Sequence, residues 1–281
     1  MNCYKSRSLC RIFVPALFCC ILFSCKKGVK QQDDELYSRH LQRKVTLTVI
    51  HTPIPDDKSA IHLLVCNDGQ LLKELNIAAV TDSLYRKKSI PPLVIVGVHA
   101  GNRSQEYGVA DQARTADAGG KADHYDSFFN NELYPFVKKN AGVRKFKSVV
   151  VAGFGAGGLS ALDLAWSHAD KINRVAAFSS AFSLNNKKSA DTVLTGMMFE
   201  KLKSSRKRPH LQYWFYAGAT GKTGLPNEHS TRIMAATDSI ISLLKNKTFI
   251  ADTDITYHQG QSNDVQAWKQ ELPFFLEWAF E

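Results

Sequence analysis

The sequence predicts an α/β fold in which a mainly parallel sheet carries helices on both faces. Short apolar, β-rich runs alternate with amphipathic stretches along the chain. One of them, residues 149–152, runs straight into a glycine-rich turn and then a helical pattern, and no internal repeat interrupts the series. At 281 residues the chain is long enough for one large domain with a sizeable core.

The start reads as a targeting segment. Lys5, Arg7 and Arg11 make it positive, and residues 12–23 are apolar but shorter than the roughly 20 residues of a spanning helix. Leu22-Phe23-Ser24-Cys25 resembles a lipobox. Residues 1–24 are therefore assigned to a lipoprotein signal and Cys25 to lipidation, which would hold the protein in a bacterial cell envelope, facing the periplasm or the outer surface; an ordinary secretory signal or a short anchor is the competing reading. Cys3, Cys10, Cys19 and Cys20 also fall in the leader. Only Cys66 remains in the body, so the fold rests on its core and not on a disulfide, and Cys66 itself reads as a buried hydrophobe.

Residues 25–43 are polar and are expected to be a tether, with the folded domain at 44–281. Strands are expected at 45–50, 61–67, 93–99, 149–152, 174–178, 211–217 and 254–258. Helices are expected at 71–84, 124–139, 159–166, 192–202, 230–245 and 264–280. Asp68-Gly69-Gln70 closes the second strand, and Pro91-Pro92 breaks the chain before the third. The formal charge is +10, with basic residues scattered except for Lys201, Lys203, Arg206, Lys207 and Arg208. That cluster reads as a solvated loop, and attraction to an acidic membrane or polyanion is the lesser reading. There is no zinc-like Cys/His spacing, phosphate-binding loop or nucleic-acid motif. No metal, cofactor or nucleic-acid partner is expected.

The turn at Gly153, Gly155, Gly157 and Gly158 fits two devices. As Gly153, Gly155, Gly158 it matches the dinucleotide fingerprint G-x-G-x-x-G, and it matches the nucleophile elbow G-x-S-x-G everywhere but at the serine, where Gly155 stands. A dinucleotide turn normally follows the first strand, with a carboxylate at the end of the next. Here three strands precede it, and the next ends in Phe178-Ser179-Ser180. The elbow reading is favoured.

The chain resembles the esterase family of α/β-hydrolases that includes enterochelin esterases, esterase D and feruloyl-esterase-like enzymes. The resemblance rests on residues 63–70, on 96–103 with Glu106-Tyr107, on Glu132-Leu133-Tyr134-Pro135, on the elbow and on Ala267-Trp268 through to Phe280. It implies a hydrolase sheet and an ester-hydrolysing triad, and it locates the triad positions in this chain. Gly155 stands at the nucleophile. Gly218-Ala219-Thr220-Gly221 puts Gly221 at the acid, with Glu228 nearby, and counting back from Trp268 puts Asn263 at the histidine.

A pseudo-esterase with a degenerate triad is therefore expected. Backbone N–H groups of Gly69 or Gln70 and of Ala156 are expected to frame a cavity for a small ester, a carboxylate or a carbohydrate hydroxyl. His99, His124 and His258 are candidate pocket residues, with structural polar contacts the competing reading, and Arg103 with Glu106 is expected to form an ion pair. Among hydroxyls considered as replacements for the nucleophile, Ser160 reads as a packing residue, and Ser179 and Ser180 as ordinary loop residues. The alternative function is an active carboxylic-ester hydrolase, acting on acyl or carbohydrate esters through an atypical arrangement.

Overall fold

The computed structural model describes residues 28–112, 119–183, 196–220, 225, 227–248 and 254–281. Its strands are β1 (Lys30–Ser38), β2 (Arg43–His51), β3 (His62–Asn67), β4 (Leu93–Val98), β5 (Val149–Phe154), β6 (Arg174–Phe178), β7 (Gln212–Thr220) and β8 (Ile255–Ser262). They form one eight-stranded sheet in the order β1-β2-β4-β3-β5-β6-β7-β8. β1 and β2 are antiparallel to their neighbours and all other pairs are parallel. Every residue of β4 and β5 is buried, as expected of parallel strands covered on both faces.

The helices are α1 (Ile77–Arg86), α2 (Arg103–Glu106), α3 (Ala122–Phe128), α4 (Tyr134–Ala141), α5 (Ala156–Ser167), α6 (Met197–Ser204), α7 (Glu228–Thr248) and α8 (Val265–Phe280). Strand alternation sends side chains to two apolar clusters. Val149, Val151 and Val175 meet α3, α4, α5 and α7 on one face, while Val150, Ala152 and Ala176 meet α1 and α8 on the other. Cys66 lies in the second cluster, where burial pushes its thiol up to about 12. Among the described residues no helix is long and apolar enough to cross a membrane.

Three expectations are corrected. Lys30–Ser38 of the expected tether form β1, paired along its nine residues with β2 and continuing the sheet. The helix expected from residue 71 begins at Ile77, after a short 3-10 turn at Gly69–Leu71. The helix expected at 124–139 is α3 and α4 joined by a wider π-helical turn, Phe129–Leu133. Pro135 lies in the first turn of α4; it has no N–H for the regular ladder, and the wide turn absorbs that break. Of the helix expected at 192–202, residues 192–195 lie outside the described residues.

His62, at the start of β3, has Nδ1 2.6 Å from Ser148 Oγ and packs edge-on against Phe280. Burial, aided by Lys147 and Arg174, lowers its pKa from 6.5 to about 4. The folded state therefore holds the neutral ring. Its contribution to stability is complete above pH 6.5 and is lost as the pH falls towards 4. Melting temperatures recorded between pH 7 and 4 are expected to fall, and to fall less steeply in His62→Gln.

Candidate functional site

β5 ends at Phe154 and α5 begins at Ala156, leaving Gly155 alone to reverse the chain. Gly155 has φ 55° and ψ −119°, a conformation that L side chains rarely adopt. The turn is held by Gly155 N–H donating to Phe178 O (2.9 Å) and by Ala181 N–H donating to Gly155 O (3.1 Å). A Cβ on Gly153 would lie 2.2 Å from the carbonyl oxygen of Gly157, and one on Gly157 2.5 Å from Asp68 Oδ2. At Gly155 the space is open. The nearest atom to a Cβ there would be Arg103 Nη2, at 3.7 Å, so this position lacks a side chain without lacking room for one.

The loop after β3 meets the first turn of α5. Asn67 Nδ2 donates to Gly157 O (2.8 Å), and Tyr125 OH donates to Asn67 Oδ1 (2.6 Å). Asp68 is fully buried with φ 63°, and its N–H donates to Tyr107 OH (2.8 Å). Its carboxylate accepts from Arg103 Nε (2.6 Å) and Nη2 (2.8 Å), a paired geometry that turns the guanidinium towards the elbow. Arg103 Nη2 also donates to Phe154 O at 3.3 Å.

The expected Arg103–Glu106 pair is not formed. Buried Glu106 binds Arg43 through Nε and Nη2, both at 2.7 Å, and accepts from Gly101 N–H. Arg43 comes from β2, a contact between elements distant in the chain.

A cleft of about 300 Å³ opens over the elbow. Gly155, Ala156 and Asn263 line it, so two of the three positions expected for a triad meet there; the third, Gly221, lies outside the described residues. Ala156 N–H is the first donor of α5, where no intrahelical carbonyl can reach it. Asn263 is committed elsewhere. Its Oδ1 accepts from Gly218 N–H and its Nδ2 donates to Gly218 O, both at 2.7 Å, so the amide clamps the loop before α8 onto the end of β7.

The other expected pocket residues do not line this cleft. Gly69 packs under β4, where a Cβ would lie 2.3 Å from the carbonyl carbon of Gly97, and the Gln70 side chain donates to Asp68 Oδ1. His99 Nε2 is 2.9 Å from Thr48 Oγ1, towards the β1 edge, and burial lowers its pKa. His124 Nδ1 is 2.9 Å from His40 O. His258 Nδ1 is 2.8 Å from Glu271 Oε2, and its ring lies 4.2 Å from that of Trp214, on the α8 face of the sheet. Ser160 is buried in α5, and Ser180 packs against Gly158. Ser179 does line the cleft; its Oγ accepts from Trp268 Nε1 at 2.9 Å. Glu228, the alternative acid, is an exposed partner of Arg232.

The cleft wall that sequence reasoning missed comes from α7. His229 and Arg232 stand one helical turn apart and join Arg103 there, and no carboxylate is among the described lining residues. A larger hollow of about 480 Å³, walled by Leu47, Val49, Val94 and Phe136, lies away from the elbow towards the β1 edge. Among the described residues no group of three or more His, Cys, Asp or Glu is placed to hold a metal.

The family model described as "Putative esterase" matches residues 38–278. The chain belongs to this esterase family. The enterobactin esterase of Shigella flexneri, crystallised with 2,3-di-hydroxy-N-benzoyl-glycine, superposes with a TM-score of 0.69 at 20% identity, covering 91% of this chain and 61% of the enzyme. A ferulic acid esterase superposes with a TM-score of 0.67 at 16% identity, over 91% of this chain and 98% of that one. These neighbours share the α/β-hydrolase fold. The uncharacterized protein YbbA of Bacillus subtilis (strain 168) is 25% identical over 142 residues, 49% of this chain and 56% of that protein. The esterase-family chain thus spans less than two thirds of YbbA and of the Shigella enzyme.

Two stability changes are expected, each read by chemical denaturation. Gly155→Ser costs about 1 kcal/mol, because a side chain is forced to positive φ. Asn263→Ala costs about 1–2 kcal/mol, because Gly218 loses both partners.

Proposed function

We propose that this esterase-family domain is a pseudo-esterase that binds a small carboxylate in the elbow cleft, and that Cys25, once lipidated, anchors it to a cell-envelope membrane. The observation that carries the proposal is the bare elbow. Gly155 occupies the apex and offers neither hydroxyl nor thiol. Ester hydrolysis by this fold needs an attacking oxygen, an imidazole to take its proton and donors for the oxyanion. Asn263 has no basic nitrogen, and its amide is spent on Gly218. Loss of the nucleophile alone lowers turnover in a serine hydrolase by about a million-fold.

What remains suits an anion. Arg103, Arg232, His229 and the first N–H of α5 converge on a cleft of about 300 Å³, at the small end of the range for ligand pockets. The Asp68 carboxylate holds the Arg103 guanidinium in its charged form, and the missing Gly155 side chain leaves space beside it. A carboxylate there gains charge-assisted bonds that a neutral ester lacks.

Labelling by a fluorophosphonate probe, which requires an activated hydroxyl, tests the loss of chemistry. The protein is expected to stay unlabelled and to leave p-nitrophenyl butyrate intact above background. Labelling at Ser179, or at any other serine, would sink the proposal.

A further inference from the structure

We propose that the end of the sheet opposite the cleft is a docking surface for an anionic lipid bilayer, so that the cleft opens away from the membrane. Short basic runs that lie far apart in the sequence are collected by the topology. β4, β5 and β7 run parallel, so the loops leading into them lie at one end of the sheet. Those loops read Arg-Lys-Lys at 86–88, Arg-Lys-Phe-Lys at 144–147 and Arg-Lys-Arg at 206–208. All of their basic residues are exposed, and residues 86–92, 142–148 and 205–211 contain no Asp or Glu. Asp82 on α1 pairs with Arg86, and the other counter-charges at this end are Asp56, Asp57, Asp170 and Asp254, which precede the other strands, and Glu281 beside Arg174. Clustered lysine and arginine of this kind are drawn to anionic headgroups.

The start of the chain selects a membrane as the partner. Lys30 pairs with His51, which pairs with Val94 beside the start of β4, so β1 begins at this same end. Val29 is pinned there: its N–H donates to Asp82 Oδ1 at 3.0 Å, and its side chain packs with the apolar cluster beneath α1. Only three peptide steps separate Gly28 from Cys25, about 11 Å when fully extended. This step rests on the lipid-anchor reading. An acyl chain at Cys25 would bring the basic end against the headgroups, because β1 takes up the residues that would otherwise form a tether. The cleft lies at the other end of the strands, about 20 Å away by the rise of the six residues of β5. Its ligand would come from the aqueous compartment and not from the bilayer.

The test uses the full chain, processed by a lipoprotein-exporting host and reconstituted into vesicles, with a fluorophore at Lys88→Cys or at Lys121→Cys. Lys121 is exposed near the cleft end of the sheet, and buried Cys66 stays unlabelled. Quenching by doxyl-labelled lipid in phosphatidylglycerol–phosphatidylethanolamine vesicles is expected to be several-fold stronger at position 88. The difference should shrink in about 1 M salt, where the screening length is about 3 Å, and in the Lys87→Glu, Lys145→Glu, Arg206→Glu variant. Equal quenching, or stronger quenching at 121, would overturn the proposal. Palmitate uptake that is lost in Cys25→Ser reports on the anchor separately. If there is no uptake, the anchor reading fails, and co-sedimentation with phosphatidylglycerol but not phosphatidylcholine vesicles would still support the docking surface. Absence of that co-sedimentation, or tighter binding to a short DNA duplex than to the vesicles, would overturn it.

Discussion

Backbone crowding where β5 turns into α5 is the constraint on which the rest of the site depends. Gly153 touches the Gly157 carbonyl, and Gly157 in turn leaves no room for a Cβ beside Asp68. These contacts press the first turn of α5 against the end of β3, and Gly155 has to take a positive φ to close the reversal. Asn67 and Asp68 then serve as the fixed points for Tyr125, Tyr107 and Arg103. Buried polar groups are costly unless paired, and here each of these contacts is made across elements far apart in the chain. The elbow is therefore kept rigid from beneath, whatever stands at its apex.

That separation of frame from apex keeps the elbow intact with a glycine at its tip. The strain of a side chain at Gly155 is absent, and Asn263 is a structural clamp between β7 and the loop before α8. Around this frame the lining is rich in donors: Arg103, held by buried Asp68, is joined by Arg232, which also meets exposed Glu228, and by His229. In the reading proposed above such a cleft holds an anion, because Gly155 carries no oxygen and Asn263 no basic nitrogen.

Much of the fold was legible because the central strands are buried on both faces, which writes them as unbroken apolar runs such as 149–152. The glycines of the elbow were legible for the same steric reason that makes them necessary. β1 was not, because it is an edge strand whose sequence, Lys-Gln-Gln-Asp-Asp-Glu-Leu-Tyr-Ser, is exposed at six of its nine residues and resembles a linker. The positions of Gly155 and Asn263 in one cleft followed from counting along motifs. The histidines did not follow, because a place near a strand end does not say which way a side chain turns: His258 faces α8, and His99 faces the β1 edge. Arg103 carried a signal in the loop after β4, yet its partner is Asp68, 35 residues earlier. Arg232 and His229 carried none, since only the docking of α7 brings them to the elbow.

Whether this cleft holds an anion without reacting is measured directly by calorimetric titration with benzoate and with its methyl ester. Benzoate is expected to bind, Arg232→Gln to weaken its binding several-fold, and methyl benzoate to bind more weakly and be recovered unchanged. Equal binding of the two, or conversion of the ester to benzoate and methanol, would contradict the proposed function.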